Sequence, residues 1–393
     1  MERSLILSVI SLIKSALTGE MTQLPEDFDK VSAVQIARSH RVIPLYYYGL
    51  INSDFGNSPE YLKRLFALTC QAVTVGEQQM AELEWMSETF EKNGIDHLVL
   101  KGSVIRSLYP KQEMRSMSDA DVLIKFDQYD KIVPLLEEHG LQFVKENLNE
   151  LCWEKTPFYV ELHRYLVSPR HTDLYSYFGD GWKLAKPVEG KAHTFVMSDE
   201  DFYVFLFVHF AKHYRSSGIG IKHLVDFWIY LKEKKDLDIA YVRQELEKLK
   251  LLTFYDNVMR TLRAWFDGEA FDEVTWFITE KVFASSAFGT VESAKTSEAL
   301  KDIKSGEVKN VKLNRSLRLM FPPYKNMCIA FPILKKMPIL LPFLWIYRGV
   351  RALFCKKDMI SQQLESIQKL RSDKIDQYQK ELNMVGLDYN FEE

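Results

Sequence analysis

Apolar and polar positions recur along this chain with two different periods. Up to about residue 90 the apolar positions return every three or four residues, in "SLILSVISLIKSAL", in "DKVSAVQIARSH" and in the long "SPEYLKRLFALTCQAVTVGEQQMAELEWMSETFEKNG". That spacing predicts helices, the last one stopped by Asn93-Gly94. The period then shortens. "IDHLVL" is a brief apolar run, "SDADVLIKF" alternates, "DQYDKIVPLLEEHG" is helical with a glycine stop, and "LQFVKE", "LCWEKT" and "FYVELHRYL" read as strands. Residues 95–167 therefore predict a small α/β sheet of mixed direction.

A stretch rich in Pro, Gly and Asp, 168–198, reads as a loop, after which helical spacing returns. "SDEDFYVFLFVHFAKHYRSS" starts with Ser198 as N-cap and Asp201 three residues on, an approximate capping box. "IKHLVDFWIYLKEK" and "DIAYVRQELEKLKLLTFYDNVMRTLRAWF" follow. The expected domains are helical 1–93, an α/β core 94–167, helical 168–290, a polar linker 291–312 and an apolar and helical 313–393.

Composition narrows the function classes. The 393 residues are 47% hydrophobic, enough for a large core, and the net charge of −3 gives no strong nucleic-acid signature, so any basic site is local. Four cysteines (Cys70, Cys152, Cys328, Cys355) without a CxxC pair point to a reducing, cytoplasmic setting. The opening "MERSLILSVISLIKSAL" reads as an amphipathic helix, because Lys14 interrupts its apolar run and no small-residue cleavage site follows. "MPILLPFLWIY" is too short to span a bilayer and holds two prolines. With Lys335, Lys336, Arg348, Arg351, Lys356 and Lys357 near it, the 327–355 section is expected either to pack on the body or to touch a membrane surface or partner.

The chemistry concentrates in "LKGSVIRSLYPKQEMRSMSDADVLI". Asp119 and Asp121 share one strand face, where like charges repel unless a divalent cation lies between them, and oxygen ligands of this kind suit Mg²⁺ or Mn²⁺. Glu161 in "FYVELH" offers a third carboxylate, on the same face as Tyr159 and His163. Three acids on adjacent strands could hold a pair of ions and clamp an in-line phosphoryl displacement. Gly102 would admit a phosphate to the backbone, the helix after it would present N–H groups, and Ser103 a hydroxyl. Lys101, Arg106 and Arg115 are candidates to neutralise triphosphate charge, and Lys101 could equally pair with the aspartates.

In combination these features resemble the polymerase-beta-like nucleotidyltransferase superfamily: a strand, a Gly-Ser turn, a spacer, Asp-x-Asp and a later strand acid. "HLVLKGSVIRSLYP", the Arg before "MSDADVLI", and "VELH" are similar, more narrowly, to a bacterial family of uncharacterised nucleotidyltransferases, over much of 30–290. The resemblance implies an α+β fold, a small mixed β-sheet nucleotidyltransferase core with helices, embedded in a largely helical protein. It implies an NTP such as ATP as substrate, Mg²⁺ or Mn²⁺ on Asp119, Asp121 and Glu161, and release of pyrophosphate. Lys101, Gly102, Ser103, Arg106, Arg115, His163 and His213 fall on the nucleotide side of that reading. The acceptor is left open among a small molecule, a protein and a tRNA. Two departures stand out: a 15-residue spacer between Ser103 and Asp119, and Glu161 where the family has Asp.

The helix "HFAKH" spaces His209 and His213 by four residues, as a zinc site would, but a metalloprotease needs Glu at 210, where Phe stands. These histidines, with Lys212, Arg215 and His223, are expected to line the cleft facing the sheet, and Asp226 to orient a helix. The rival readings are a catalytically silent nucleotide-binding module and a membrane-surface or partner-binding scaffold acting through the C-terminal apolar section.

Overall fold

A computed structural model of the protein describes residues 1–56, 58–169, 171–216, 218–285, 297, 300, 321, 322, 324, 327, 328, 331–355 and 372–388. The chain divides into two units, residues 1–290 with 385–390, and residues 291–384 with 391–393. The expected linker 291–312 lies outside the described residues apart from Ser297 and Leu300, and so do Lys356 and Lys357.

The first unit opens with helices α1 (Arg3–Thr18), α2 (Lys30–Ser39), α3 (Ile43–Ile51) and the 34-residue α4 (Pro59–Lys92). Ser58 caps α4 through its hydroxyl, and Gly94, at φ 69°, ends it. There the Gly94 N–H donates to Glu91 and the Ile95 N–H to Phe90, a Schellman stop. The break between α2 and α3 uses the same pair of bonds with Arg41 in the left-handed position (φ 57°), a residue type that does not signal such a turn. Helix α3 was not expected from periodicity, since "IPLYYYGLI" is apolar nearly all round.

The fold is α+β, with one mixed seven-stranded sheet in the order β3-β4-β5-β2-β1-β7-β6. Its strands are β1 (His97–Leu100), β2 (Ala120–Ile124), β3 (Gln142–Glu146), β4 (Glu150–Lys155), β5 (Phe158–His163), β6 (Lys186–Pro187) and β7 (Thr194–Val196). A short helix α5 (Gly102–Ile105) follows β1, and α6 (Tyr129–Glu138) follows β2. The 168–198 stretch expected as a loop instead supplies α7 (Thr172–Phe178) and the edge hairpin β6-β7, whose β7 joins β1 in parallel. The hairpin was missed because two- and three-residue strands carry too little alternation to be read. Glu91 on α4 holds this edge, accepting from the Ala192 and His193 N–H groups and from the Thr194 hydroxyl.

Alternation along the central strands separates core from site. Ala120, Val122 and Ile124 of β2, Leu151 and Trp153 of β4, and Val160 and Leu162 of β5 pack with Leu83, Met86 and Phe90 of α4 and with Ile132 and Leu136 of α6. Their neighbours Asp121, Cys152 and Glu161 occupy the intervening positions and project from the other face. Helices α8 (Asp199–Tyr214) and α9 (Ile221–Glu233) lie on that side, followed by α10 (Ile239–Lys248), α11 (Leu252–Phe266) and α12 (Glu273–Ala284). Ser198 caps α8 as expected, its Oγ accepting from the Asp201 N–H. Asp201 takes the Ser198 hydroxyl rather than a backbone N–H, so the capping box is incomplete. The "DIAYVRQ…RAWF" stretch is two helices, because Lys250 (φ 54°) forms another Schellman stop without glycine.

In the second unit, α13 (Leu341–Cys355) follows two short 3₁₀ turns, and Met327, Cys328 and Leu334 form a small core with Phe331, Leu344 and Trp345. Helix α14 (Ser372–Val385) lies at its end. No described helix is long and apolar enough to cross a membrane.

Two stability measurements check this packing. A Cβ on Gly49 of α3 would collide with the Leu12 carbonyl oxygen of α1, so Gly49→Ala is expected to cost about 3 kcal/mol in urea unfolding. The bond from Thr194, with those from Ala192 and His193, lowers the Glu91 carboxyl from 4.5 to about 2. A lowered folded-state pKa stabilises above the unfolded value, so this contribution should be lost as pH falls from about 4.5 to about 2. Urea midpoints of Glu91→Gln should accordingly lack that part of the wild-type pH dependence.

Candidate active site

Parallel pairing of β2 with β5 sets Asp121 directly beside Glu161, and antiparallel pairing of β1 with β2 sets Leu100, the residue before Lys101, opposite Asp121. Asp119 precedes β2 by one residue and lines the same cavity, of about 410 Å³. Ligand atoms of Asp121, Glu161 and His163 lie within 4.8 Å of one another. A second group, Glu150, Cys152 and Glu161, is equally close and shares Glu161.

Asp121 is 5% exposed and its Oδ1 accepts from two partners, the Lys101 ammonium at 2.5 Å and His163 Nε2 at 2.7 Å. Burial would raise its pKa, but the Lys101 charge and His163 outweigh that and hold the carboxyl far below its ordinary value. Glu161 lies 3.6 Å from His163 Nε2. Burial pushes its carboxyl up and is outweighed by His163 and Lys101, so it too is lowered. Asp119 behaves in the opposite way. With no hydrogen bond or ion pair among the described residues, it is pushed up to about 6 by burial and then by Asp121. On the other side of His163, Asn149 Nδ2 lies 3.0 Å from Nδ1, so both ring nitrogens are engaged and the imidazole orients Asp121.

Lys101 sits at φ 53°, in the left-handed region costly for a residue with a Cβ. Its ion pair offsets this strain and ties the turn to the strand. Gly102 also gives room to a neighbouring side chain: a Cβ there would meet Arg115 Nη2 at 3.1 Å, closer than an ordinary contact. Arg115 lines the cavity but its guanidinium is taken by Asp226 of α9, Nε to Oδ1 at 2.7 Å and Nη2 to Oδ2 at 2.9 Å. Tyr109 donates to the same carboxylate at 2.7 Å.

Two expected phosphate contacts lie elsewhere. Arg106 is 2% exposed and bonds the Gly76 carbonyl, Glu77 and the Gln112 carbonyl, fastening the turn to α4 rather than facing the cavity. The Ser103 hydroxyl is buried with no partner among the described residues and is outside the cavity lining. The helix after Gly102 is only four residues long. Sequence spacing could not reveal this, because the direction of a side chain in a short irregular helix depends on what packs over it.

The wall opposite the carboxylates carries two lysines and three histidines, the histidines held well below their ordinary pKa by burial. Leu206, His209, Phe210 and His213 form one face of α8, and Lys222, His223, Asp226 and Phe227 one face of α9. His213 thus stands in the cavity as expected, with its ring 4.4 Å from that of His209. Arg215 does not line it and pairs with Asp173 at 2.6 Å. Lys222 was not foreseen; its signal was a lysine in the first turn of a helix that follows "GIG". Lys212 and Lys222 form no hydrogen bond or ion pair among the described residues, and burial lowers both to about 8.

The donor set fits a hard divalent cation. Two carboxylates converge beside a third, Asp119, whose ionisation burial and Asp121 make costly, and a cation would relieve their repulsion. A scan against family models matches residues 26–267, more than half of the chain, to a family described as an uncharacterised nucleotidyltransferase. A search of curated proteins found no match.

The Arg115–Asp226 pair yields a stability test. Asp226→Ala strands a buried guanidinium and is expected to cost about 3–5 kcal/mol in chemical unfolding, whereas Arg115→Met/Asp226→Leu should recover most of that loss.

Proposed function

The chain belongs to the uncharacterised nucleotidyltransferase family, and we propose that it transfers a nucleoside monophosphate from a metal-bound NTP to an acceptor, releasing pyrophosphate. The observation that carries this reading is the β2–β5 register, which sets Asp121 beside Glu161 on the sheet face that looks toward Lys212 of α8 and Lys222 of α9.

Asp121, Glu161 and Asp119 would hold Mg²⁺ or Mn²⁺. When bound, such an ion would neutralise phosphate oxygens and leave the α-phosphorus more electrophilic. The chain's own groups do the positioning. His163 fixes Asp121, the Lys101–Gly102 turn borders the phosphate end, and Lys222 presents an unpaired ammonium from the first turn of α9. An acceptor oxygen then bonds to the α-phosphorus as the bond from that phosphorus to the pyrophosphate oxygen breaks. Holding both reactants in one cavity supplies much of the rate.

The Lys101–Asp121 contact favours a second reading, a silent nucleotide-binding module, since the ammonium already neutralises one ligand carboxylate. A membrane-surface role for 327–355 keeps one observation in its favour, the exposed Ile339, Phe343, Ile346 and Tyr347.

Incubation with each NTP and Mg²⁺ or Mn²⁺ should release pyrophosphate, and chelation should abolish it. Asp121→Asn and Glu161→Gln should each lower the rate about 100- to 1000-fold. Nucleotide binding without pyrophosphate would instead support the silent module, and equal turnover by Asp119→Ala/Asp121→Ala would exclude the metal assignment.

A further inference from the structure

Helix α13 is apolar on two faces, and its own unit uses one of them. Leu341, Leu344 and Trp345 pack on the small core of Met327, Cys328 and Leu334, and the Trp345 indole N–H donates to the Pro322 carbonyl at 2.9 Å. These contacts fix the roll of the helix. Phe343, Ile346 and Tyr347, one turn apart, therefore point away from the core, and Ile339 extends their row: Ile339 is 77%, Phe343 67% and Ile346 65% exposed. Ile333 and Met337 are about half exposed. One exposed apolar side chain is ordinary, but six between residues 333 and 347 make a face that something covers.

Charge indicates what covers it. Between Glu307 and Asp358 the sequence holds eleven Lys and Arg residues and no Asp or Glu, in a chain whose net charge is −3. Lys336, in the middle of this segment, is exposed. A second copy would bring the same cationic segment against itself, since a two-fold interface pairs like with like. Aliphatic and aromatic tips among cations are instead what the interface of an anionic bilayer accepts, with the rings and chains in the headgroup and acyl boundary and the basic groups on lipid phosphates. At 15 residues α13 is too short to span a bilayer, so it would lie in the plane of the surface.

We propose that residues 333–347 dock on an anionic phospholipid bilayer, with Ile339, Phe343 and Ile346 entering its surface and the basic residues of the segment meeting the lipid phosphates. The proposal rests on the membrane-surface reading of 327–355 and gives it a lipid class and an orientation. It does not depend on nucleotidyl transfer.

Vesicle flotation of the full chain tests it, with phosphatidylcholine vesicles and with vesicles that also hold about 30% phosphatidylglycerol. The protein should float with the anionic vesicles and not with the neutral ones. Phe343→Glu/Ile346→Glu and, separately, Lys335→Gln/Lys336→Gln should each weaken that binding about 10-fold, whereas Phe343→Trp/Ile346→Leu should keep it within about 2-fold. Equal binding to both vesicle types would leave a membrane role and overturn the anionic site. No vesicle binding by the wild type, or binding that survives the two glutamates, would overturn both. A dimer that Phe343→Glu/Ile346→Glu dissociates, or capture of an oligonucleotide, in a protein that binds no vesicles would assign the face to a second copy or to nucleic acid instead.

Discussion

The buried ion pair between Arg115 and Asp226 fixes the relation between the two walls of the cavity. Arg115 belongs to the segment leading into β2, Asp226 to α9, and each side chain is 6% exposed. Two parallel N–H···O bonds and the Tyr109 hydroxyl saturate the carboxylate, so neither charge is stranded. The same guanidinium packs against Gly102, where a Cβ would meet it at 3.1 Å, a tight contact. One pair therefore ties the segment leading into β2 to α9, four residues after Lys222.

The electrostatics follow from that placement. Parallel strands bring carboxylates together, and the helices bring ammonium and imidazole groups over them, largely buried, where charges interact more strongly than in bulk water. Part of the acidic set is satisfied internally, since Lys101 and His163 both hold Asp121. Asp119 on one wall, and Lys212 and Lys222 on the other, stay without partners among the described residues. A ligand that carries both phosphate and a divalent cation would answer both deficits, and this complementarity ties the fold to nucleotide chemistry more firmly than any one side chain does.

Much of this was legible in the amino-acid order. Alternation in "SDADVLIKF" and "FYVELH" located the strands and the face of the acids, because a half-buried strand cannot shift by one residue without burying its charges. Ser198 and Asn93-Gly94 marked helix ends through their local chemistry. The missed breaks share one cause: Arg41 and Lys250 hold left-handed turns that sequence assigns to glycine. Arg106 shows a different limit. Its position beside the Gly-Ser turn suggested a phosphate ligand, but tertiary packing directs it to α4, 30 residues back in the chain. Lys222 and the Arg115–Asp226 pair depend on how α9 lies against the sheet, which no local pattern encodes.

On the proposed reading, the carboxylate cluster of β2 and β5 and the lysines of α8 and α9 grip one metal–triphosphate. Crystals soaked with Mn²⁺ and an α,β-methylene NTP, measured at the manganese absorption edge, test it most directly. The expected anomalous peak lies within coordination distance of Asp121 and Glu161, with the triphosphate extending toward Lys222. Manganese bound away from both carboxylates, or a nucleotide seated outside this cavity, would contradict it.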